Sequence, residues 1–173
     1  MRLERLSDGN AHLYERAMEL YRSSFPHEER RDRAEQERIL CKSDYHFDLI
    51  MADDSFIGIM LYWETDEWIF LEHFATLSKL RCKGYGKKAL ELLNSRGKTV
   101  LLEIEPPVDS ITERRYGFYK RCGFVMNPYH HIQAKYHLGD ADLELKILSY
   151  PTILGEDEYR SFYEYMIREI EIG

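Results

Sequence analysis

The stretch that most restricts the fold runs from Leu71 to Leu93, LEHFATLSKLRCKGYGKKALELL. Trp68-Ile69-Phe70-Leu71, leading to Phe74-Ala75, is apolar and aromatic, which predicts a buried strand. Gly86, Leu90 and Leu93 share one face of a 3.6-residue period, which predicts an amphipathic helix. From Lys79 to Lys88 the chain carries five cations and no acid. Gly84 and Gly86 fall where the turn should start the helix. Glycine lets backbone N–H groups approach a bound group, and the helix dipole favours an anion there. A basic turn can also be merely solvated, and the Walker and full Rossmann glycine spacings are both missing. The whole chain, however, has a formal charge of -7, so this island departs from its average.

With 173 residues, 44% hydrophobic and 32% charged, the chain has the size and composition of one globular domain, 1–173. No run approaches the roughly 20 apolar residues of a membrane span, and MRLERLSDGN lacks a signal-peptide core. Cys41, Cys82 and Cys122 form no CxxC pair, and His130-His131 has no HxxxH companion. These features predict a reducing, cytoplasmic location without a metal or disulfide framework. Acidic balance argues against a nucleic-acid partner and suits a cationic amine.

Met1 to Leu6 reads as a strand, Ser7-Asp8-Gly9-Asn10 as a turn and cap, and 11–23 as a helix broken by Ser24-Phe25-Pro26. His27 to Leu40 reads as an exposed charged helix with only Ala34, Ile39 and Leu40 to bury. Tyr45 to Ala52, Phe56 to Trp63 and Trp68 to Thr76 read as an antiparallel meander. Thr99 to Glu105 is a fifth strand ended by Pro106-Pro107, parallel to the fourth because a helix intervenes. Asp109 or Ser110 should cap a helix that Gly123 ends. Strands near Phe124 to Met126, Ile132 to His137 and Leu143 to Tyr150 follow. In the tail, 155–172, Tyr159, Phe162, Tyr163, Met166, Ile167 and Ile170 form a helical stripe that must pack on the 1–150 core or on a second copy.

Arg81-Cys82-Lys83-Gly84-Tyr85-Gly86 resembles the [RQ]-x-x-G-x-[GA] signature of the GNAT N-acetyltransferases, and Phe118 to Phe124 resembles their FYxxxGF segment. Leu102 to Pro107 is similar to the EVEPP-like strand end of a bacterial subgroup, which also has counterparts of Gln133-Ala134-Lys135-Tyr136 and Leu148-Ser149-Tyr150-Pro151. The resemblance implies an α+β fold. A mixed, mostly antiparallel sheet of six to seven strands is flanked by helices, and strands four and five splay around the cofactor. It implies acetyl-CoA, with Arg81, Cys82, Lys83, Gly84, Tyr85, Gly86 and Lys87 around the pyrophosphate. Backbone at Phe74, Ala75 and Thr76 would meet the pantetheine arm, with a bulge there freeing an N–H for the thioester oxygen.

Acetyl transfer to an amine requires a proton for the leaving thiolate and a base for the amine. By its place in the FYxxxGF pattern, Tyr119 is the implied acid, with Tyr116 one turn earlier as a weaker candidate. Glu72 shares a face with Phe70 and Phe74 by strand alternation and is the first candidate base, although the family often places that base where this chain has Phe70. Glu103 and Glu105 point together beside the gap and could bind a cationic acceptor. Phe25, Glu28, Glu29 and Arg30 would wall the acceptor site. Pro106 replaces an asparagine that contacts the cofactor in many relatives. The expected function is acetyl-CoA-dependent N-acetylation of a small-molecule or peptide amine, by direct transfer in a ternary complex. A non-catalytic acyl-CoA sensor and a nucleotide-phosphate binder are the alternatives.

Overall fold

Strand-forming segments rich in Ile, Leu, Phe, Tyr and Trp alternate with turns in the first half of the chain, and they build one half of a continuous sheet. The computed structural model describes residues 1–6 and 12–170, so the expected turn and cap at Ser7-Asp8-Gly9-Asn10 lie outside the described residues. The strands are β1 (Arg2–Arg5), β2 (Tyr45–Ala52), β3 (Ser55–Glu64), β4 (Trp68–Thr76), β5 (Thr99–Ile104), β6 (Val125–Met126), β7 (His131–Ile132) and β8 (Glu144–Tyr150). The helices are α1 (Tyr14–Ser24), α2 (Arg33–Ile39), α3 (Tyr85–Asn94), α4 (Ser110–Arg121) and α5 (Glu156–Ile170). Sheet order is β1-β2-β3-β4-β5-β8-β6, with β7 also paired to β8. The β4–β5 pair is parallel and the other pairs are antiparallel.

Two layers of helix cover the sheet. Ala89, Leu90 and Leu93 of α3, with Phe118 and Tyr119 of α4, pack on the face that carries Ile69, Leu71, Leu102 and Ile104. Helices α1 and α5 and the end of α2 cover the other face, which carries Trp63, Trp68, Phe70 and Leu101. The tail stripe is therefore used within the chain. Phe162 meets Trp68 and Phe70 edge-on at 5.5 and 5.1 Å, contacts each worth about 0.5–1.5 kcal/mol beyond their area.

Two expected elements differ. His27 to Leu40 is not one exposed helix: a 3₁₀ turn at His27–Glu29 is followed by extended backbone at Arg30, and α2 starts afresh behind an Asp32 capping box. The break is caused by burial of Arg31, 3% exposed, whose N–H donates to the Tyr21 hydroxyl at 3.0 Å. Gln36 is buried as well, donating to Tyr45 Oη at 2.7 Å. Of the strand expected over Ile132 to His137, only Ile132 pairs, together with His131 before it; Gln133 N–H makes one more bond to the Leu143 carbonyl before the loop departs.

Candidate active site

Strands β4 and β5 stay paired for only four rungs, Trp68↔Thr99 to Leu71↔Leu102. Beyond Leu71 the two diverge: β4 continues on β3 as far as Thr76, while β5 continues on β8 as far as Ile104. From Glu72 to Thr76 the edge of β4 that faces β5 thus has no strand partner, which suits an added extended chain. Phe74, Ala75 and Thr76 lie on that edge.

The far end of the wedge leads to the basic turn. Gly84, at φ +81°, precedes α3, and Cys82 also has positive φ, +61°, uncommon for a side chain with a Cβ. Helices α2 and α4 both start with capping boxes, from Asp32 and Asp109, whereas α3 has no side-chain cap. Its first N–H groups are left to an outside acceptor, beside exposed Arg81, Lys83, Lys87 and Lys88. A pyrophosphate fits these donors. Gly84 and Gly86 serve different ends. A Cβ at Gly84 would meet nothing within 4 Å, so its requirement is the left-handed backbone. A Cβ at Gly86 would point inward, 3.3 Å from Phe118 Cζ and 3.6 Å from Phe74 Cζ. Its smallness lets α3 close on β4 and α4 instead of exposing backbone to a ligand.

The β4 bulge is at Glu72, earlier than the expected Phe74 to Thr76. Leu61 pairs with His73 and Tyr62 with Leu71, so Glu72 has no opposite residue. Strand alternation breaks there. Glu72 and His73 both reach the α1 side, while Phe74 turns to the α3 side, away from Phe70. Glu72 is consequently buried in a polar cluster. Its Oε1 is 2.7 Å from Arg31 Nη1 and accepts from Tyr136 Oη at 2.8 Å, and its Oε2 accepts from Trp63 Nε1 at 3.2 Å. Burial pushes this carboxyl up, but the Arg31 charge and bonds from His73 and Tyr136 outweigh it and hold it at about 2. A carboxylate this satisfied binds a proton weakly. His73 Nε2 contacts the Glu29 carbonyl at 2.7 Å, fixing the 3₁₀ turn over the bulge. The sequence reading missed Arg31 and His73. Their only signal, an acid in an apolar strand, required a buried cation whose position the charged run concealed.

Tyr119 packs between Phe118 (5.2 Å) and Phe124 (5.8 Å) on the wedge side of α4, and burial pushes its phenol up to about 12. Tyr116 packs against the same apolar cluster.

A cavity of about 260 Å³ is lined by Glu28, Glu29, Gln133, Lys135, Asp140 and Asp142, among others. Lys135 pairs with Asp142 at 2.8 Å, so acids predominate. Glu29 is half-buried, and burial together with the charge of Glu105 raises its carboxyl above the usual value. Its carbonyl meets His73 of β4, and the Glu105 charge that raises its carboxyl comes from the residue just past β5. The 3₁₀ turn and the loop after β7 are tied together by a stacked His27–His137 pair, 4.1 Å between rings, and by His137 Nε2 on the His27 carbonyl at 2.9 Å. Phe25 packs on His73 instead, and Arg30 bonds the Phe25 carbonyl at 3.1 Å. Glu105 is ion-paired to Arg115 and half-exposed. Glu103, one residue beyond the last β4–β5 rung, is buried with Oε1 2.5 Å from His131 Nε2.

A sheet that opens between parallel β4 and β5, next to an uncapped basic helix start, defines an acyl-CoA-binding class of fold. The model of the Acetyltransferase (GNAT) family matches residues 11–124, and the chain belongs to that family. A GNAT-family acetyltransferase structure from Bacteroides thetaiotaomicron superposes with a TM-score of 0.92, at 30% identity over 100% of both chains. The "Putative acetyltransferase YjbC" of Bacillus subtilis (strain 168) is 32% identical over 102 residues, 58% of this chain and 52% of that protein. The match therefore spans about half the length of that curated relative. An aminoglycoside 6'-N-acetyltransferase complexed with coenzyme A shares the fold, with a TM-score of 0.60 at 15% identity over 86% and 96% of the two chains. Among the described residues, no helix is long and apolar enough to cross a membrane.

Proposed function

We propose that the protein is an acetyl-CoA-dependent N-acetyltransferase that acts by direct transfer on a primary amine presented as a cation, on a small molecule or a peptide. The observation that carries this reading is the β4–β5 wedge, which leaves the β4 edge open beside the free anion-binding donors of α3; an acid-lined cavity offers a place for the cation. When bound, acetyl-CoA supplies the activated acyl group.

The residues of this chain do the remainder. Arg81 to Lys87 hold the pyrophosphate, and backbone at Phe74, Ala75 and Thr76 pairs with the amide-bearing arm, the unpaired β4 edge after the Glu72 bulge giving an N–H to the carbonyl oxygen. Glu28, Glu29 and Asp140 draw the ammonium into the cavity. Glu103 takes a proton from the amine nitrogen, freeing the lone pair that attacks the acyl carbon. Tyr119 gives its hydroxyl proton to the departing thiolate. With its value near 12, the phenol carries that proton throughout the neutral range. Glu72 braces the bulge and takes no proton. A second reading makes Glu29 the base, favoured by the burial that raises its carboxyl and by its backbone contact with His73 of β4. Free Cys41, Cys82 and Cys122 suit a reducing cytoplasm.

The test is release of CoA thiol from acetyl-CoA across polyamines, aminoglycosides, amino acids and N-terminal peptides. Glu103→Gln should lower kcat by about 100-fold or more, within the range for loss of a general base, while Glu29→Gln raises KM for the amine. The reverse pattern transfers the base role to Glu29. Tight acetyl-CoA binding with no thiol release from any amine would favour the sensor alternative.

A further inference from the structure

We propose that His131 and Tyr159 are positioning residues for Glu103, so that the C-terminal helix completes the catalytic site; this rests on the acetyltransferase reading above. Glu103 stands on β5 at the first position past the strand split, with its side chain 8% exposed. One oxygen, Oε1, is tied to His131 Nε2 at 2.5 Å, and among the described residues Oε2 has no hydrogen-bond partner. His131 is fully buried on β7, and its Nδ1 lies 3.0 Å from Tyr159 Oη on α5. The Tyr159 hydroxyl donates to the His130 carbonyl at 3.0 Å. Its ring stacks on Tyr129 at 4.1 Å and 6°, and Tyr129 is anchored by its own hydroxyl on the Leu154 carbonyl at 2.8 Å.

His131 Nε2–H reaches Glu103 Oε1, while Tyr159 Oη, held at the His130 carbonyl, meets Nδ1 and fixes the ring. A partner held at both nitrogens fixes the rotamer of Glu103 and leaves Oε2 free. The titratable groups that face this pair are Tyr159 and Tyr163 on α5 and Tyr136 from the loop after β7. A structural histidine would need neither the unpartnered oxygen nor the place at the split.

Tyr159→Phe keeps the stacked ring and removes the hydroxyl that meets Nδ1; His131→Gln keeps a donor and removes the ring. For Tyr159→Phe, kcat should fall about 3- to 10-fold while KM for acetyl-CoA and for the amine stays unchanged, the split expected of a positioning group. For His131→Gln the fall should reach about 10- to 100-fold, short of the loss of the base itself. If His131→Gln fails to fold by circular dichroism, Tyr159→Phe decides alone. Wild-type turnover with folded variants whose kcat matches wild type would overturn the positioning role and leave the acetyltransferase reading intact. Wild-type protein that binds acetyl-CoA yet acetylates no amine overturns both.

Discussion

Replacing Glu72 with glutamine separates bracing from catalysis. A glutamate ordinarily titrating at 4.5 and held at about 2 in the fold contributes about 3 kcal/mol, at about 1.4 kcal/mol per pH unit. Because the folded value lies below the unfolded one, that contribution is full above about pH 5 and is lost as pH falls toward 2. The variant forfeits it and leaves Arg31, 3% exposed, as a buried cation without its counter-charge. Breaking one side of such a pair costs roughly 3–5 kcal/mol. For a chain of this size, at about 2–4 °C per kcal/mol, Tm should drop by about 10 °C at pH 7. Urea unfolding of wild type between pH 7 and pH 3 should show stability falling, and the variant should show a flatter profile. A paired Arg31→Met, Glu72→Met variant should recover much of the loss, since apolar replacement of both partners removes the uncompensated charge. Turnover by the folded Glu72→Gln fraction should remain within about 10-fold of wild type, because a bracing group acts only through geometry. A variant as stable as wild type but about 1,000-fold slower would refute this reasoning and restore Glu72 as the base.

Other expectations follow from the same geometry. Tyr119→Phe should lower kcat by about 100-fold while the acetyl-CoA Kd from calorimetry stays within about two-fold, since only the proton donor is lost. Gly84→Ala should weaken acetyl-CoA binding with a stability loss of about 1–2 kcal/mol, because the left-handed turn disfavours a Cβ. Gly86→Val should instead mainly unfold the protein, by collision with Phe118 and Phe74, visible as a lowered Tm without cofactor. With Glu28→Gln and Glu29→Gln together, KM should rise for dications more than for monocations in a thiol-release assay, as the cavity loses two acids.

The parts of this molecule that local sequence governs were legible. Glycine between a Trp-Ile-Phe-Leu strand and a Leu-rich helix, the Asp109 cap, the parallel crossover to Thr99 and the amphipathic tail all follow from periodicity and turn chemistry. The unread parts depend on contacts distant in sequence. A one-residue bulge at Glu72 reverses which neighbours share its face, and no composition marks where a bulge falls. Arg31 meets Glu72 across 41 positions, so a run that looks solvated supplies the buried cation and breaks its own helix. Glu103 was legible as an acid near the gap, but His131 looked like half of an undistinguished His-His pair. Only the β7–β8 pairing brings it under the split.

Acetyl-CoA turnover is the most direct measurement of the central claim. Purified protein should be mixed with acetyl-CoA and a panel of mono- and dicationic amines, with free thiol followed optically and the product mass read in parallel. The account predicts stoichiometric thiol release and a gain of one acetyl group for at least one cationic amine, abolished by Glu103→Gln and strongly reduced by Tyr119→Phe. Saturable acetyl-CoA binding with neither thiol release nor acetylated product across the panel would contradict it.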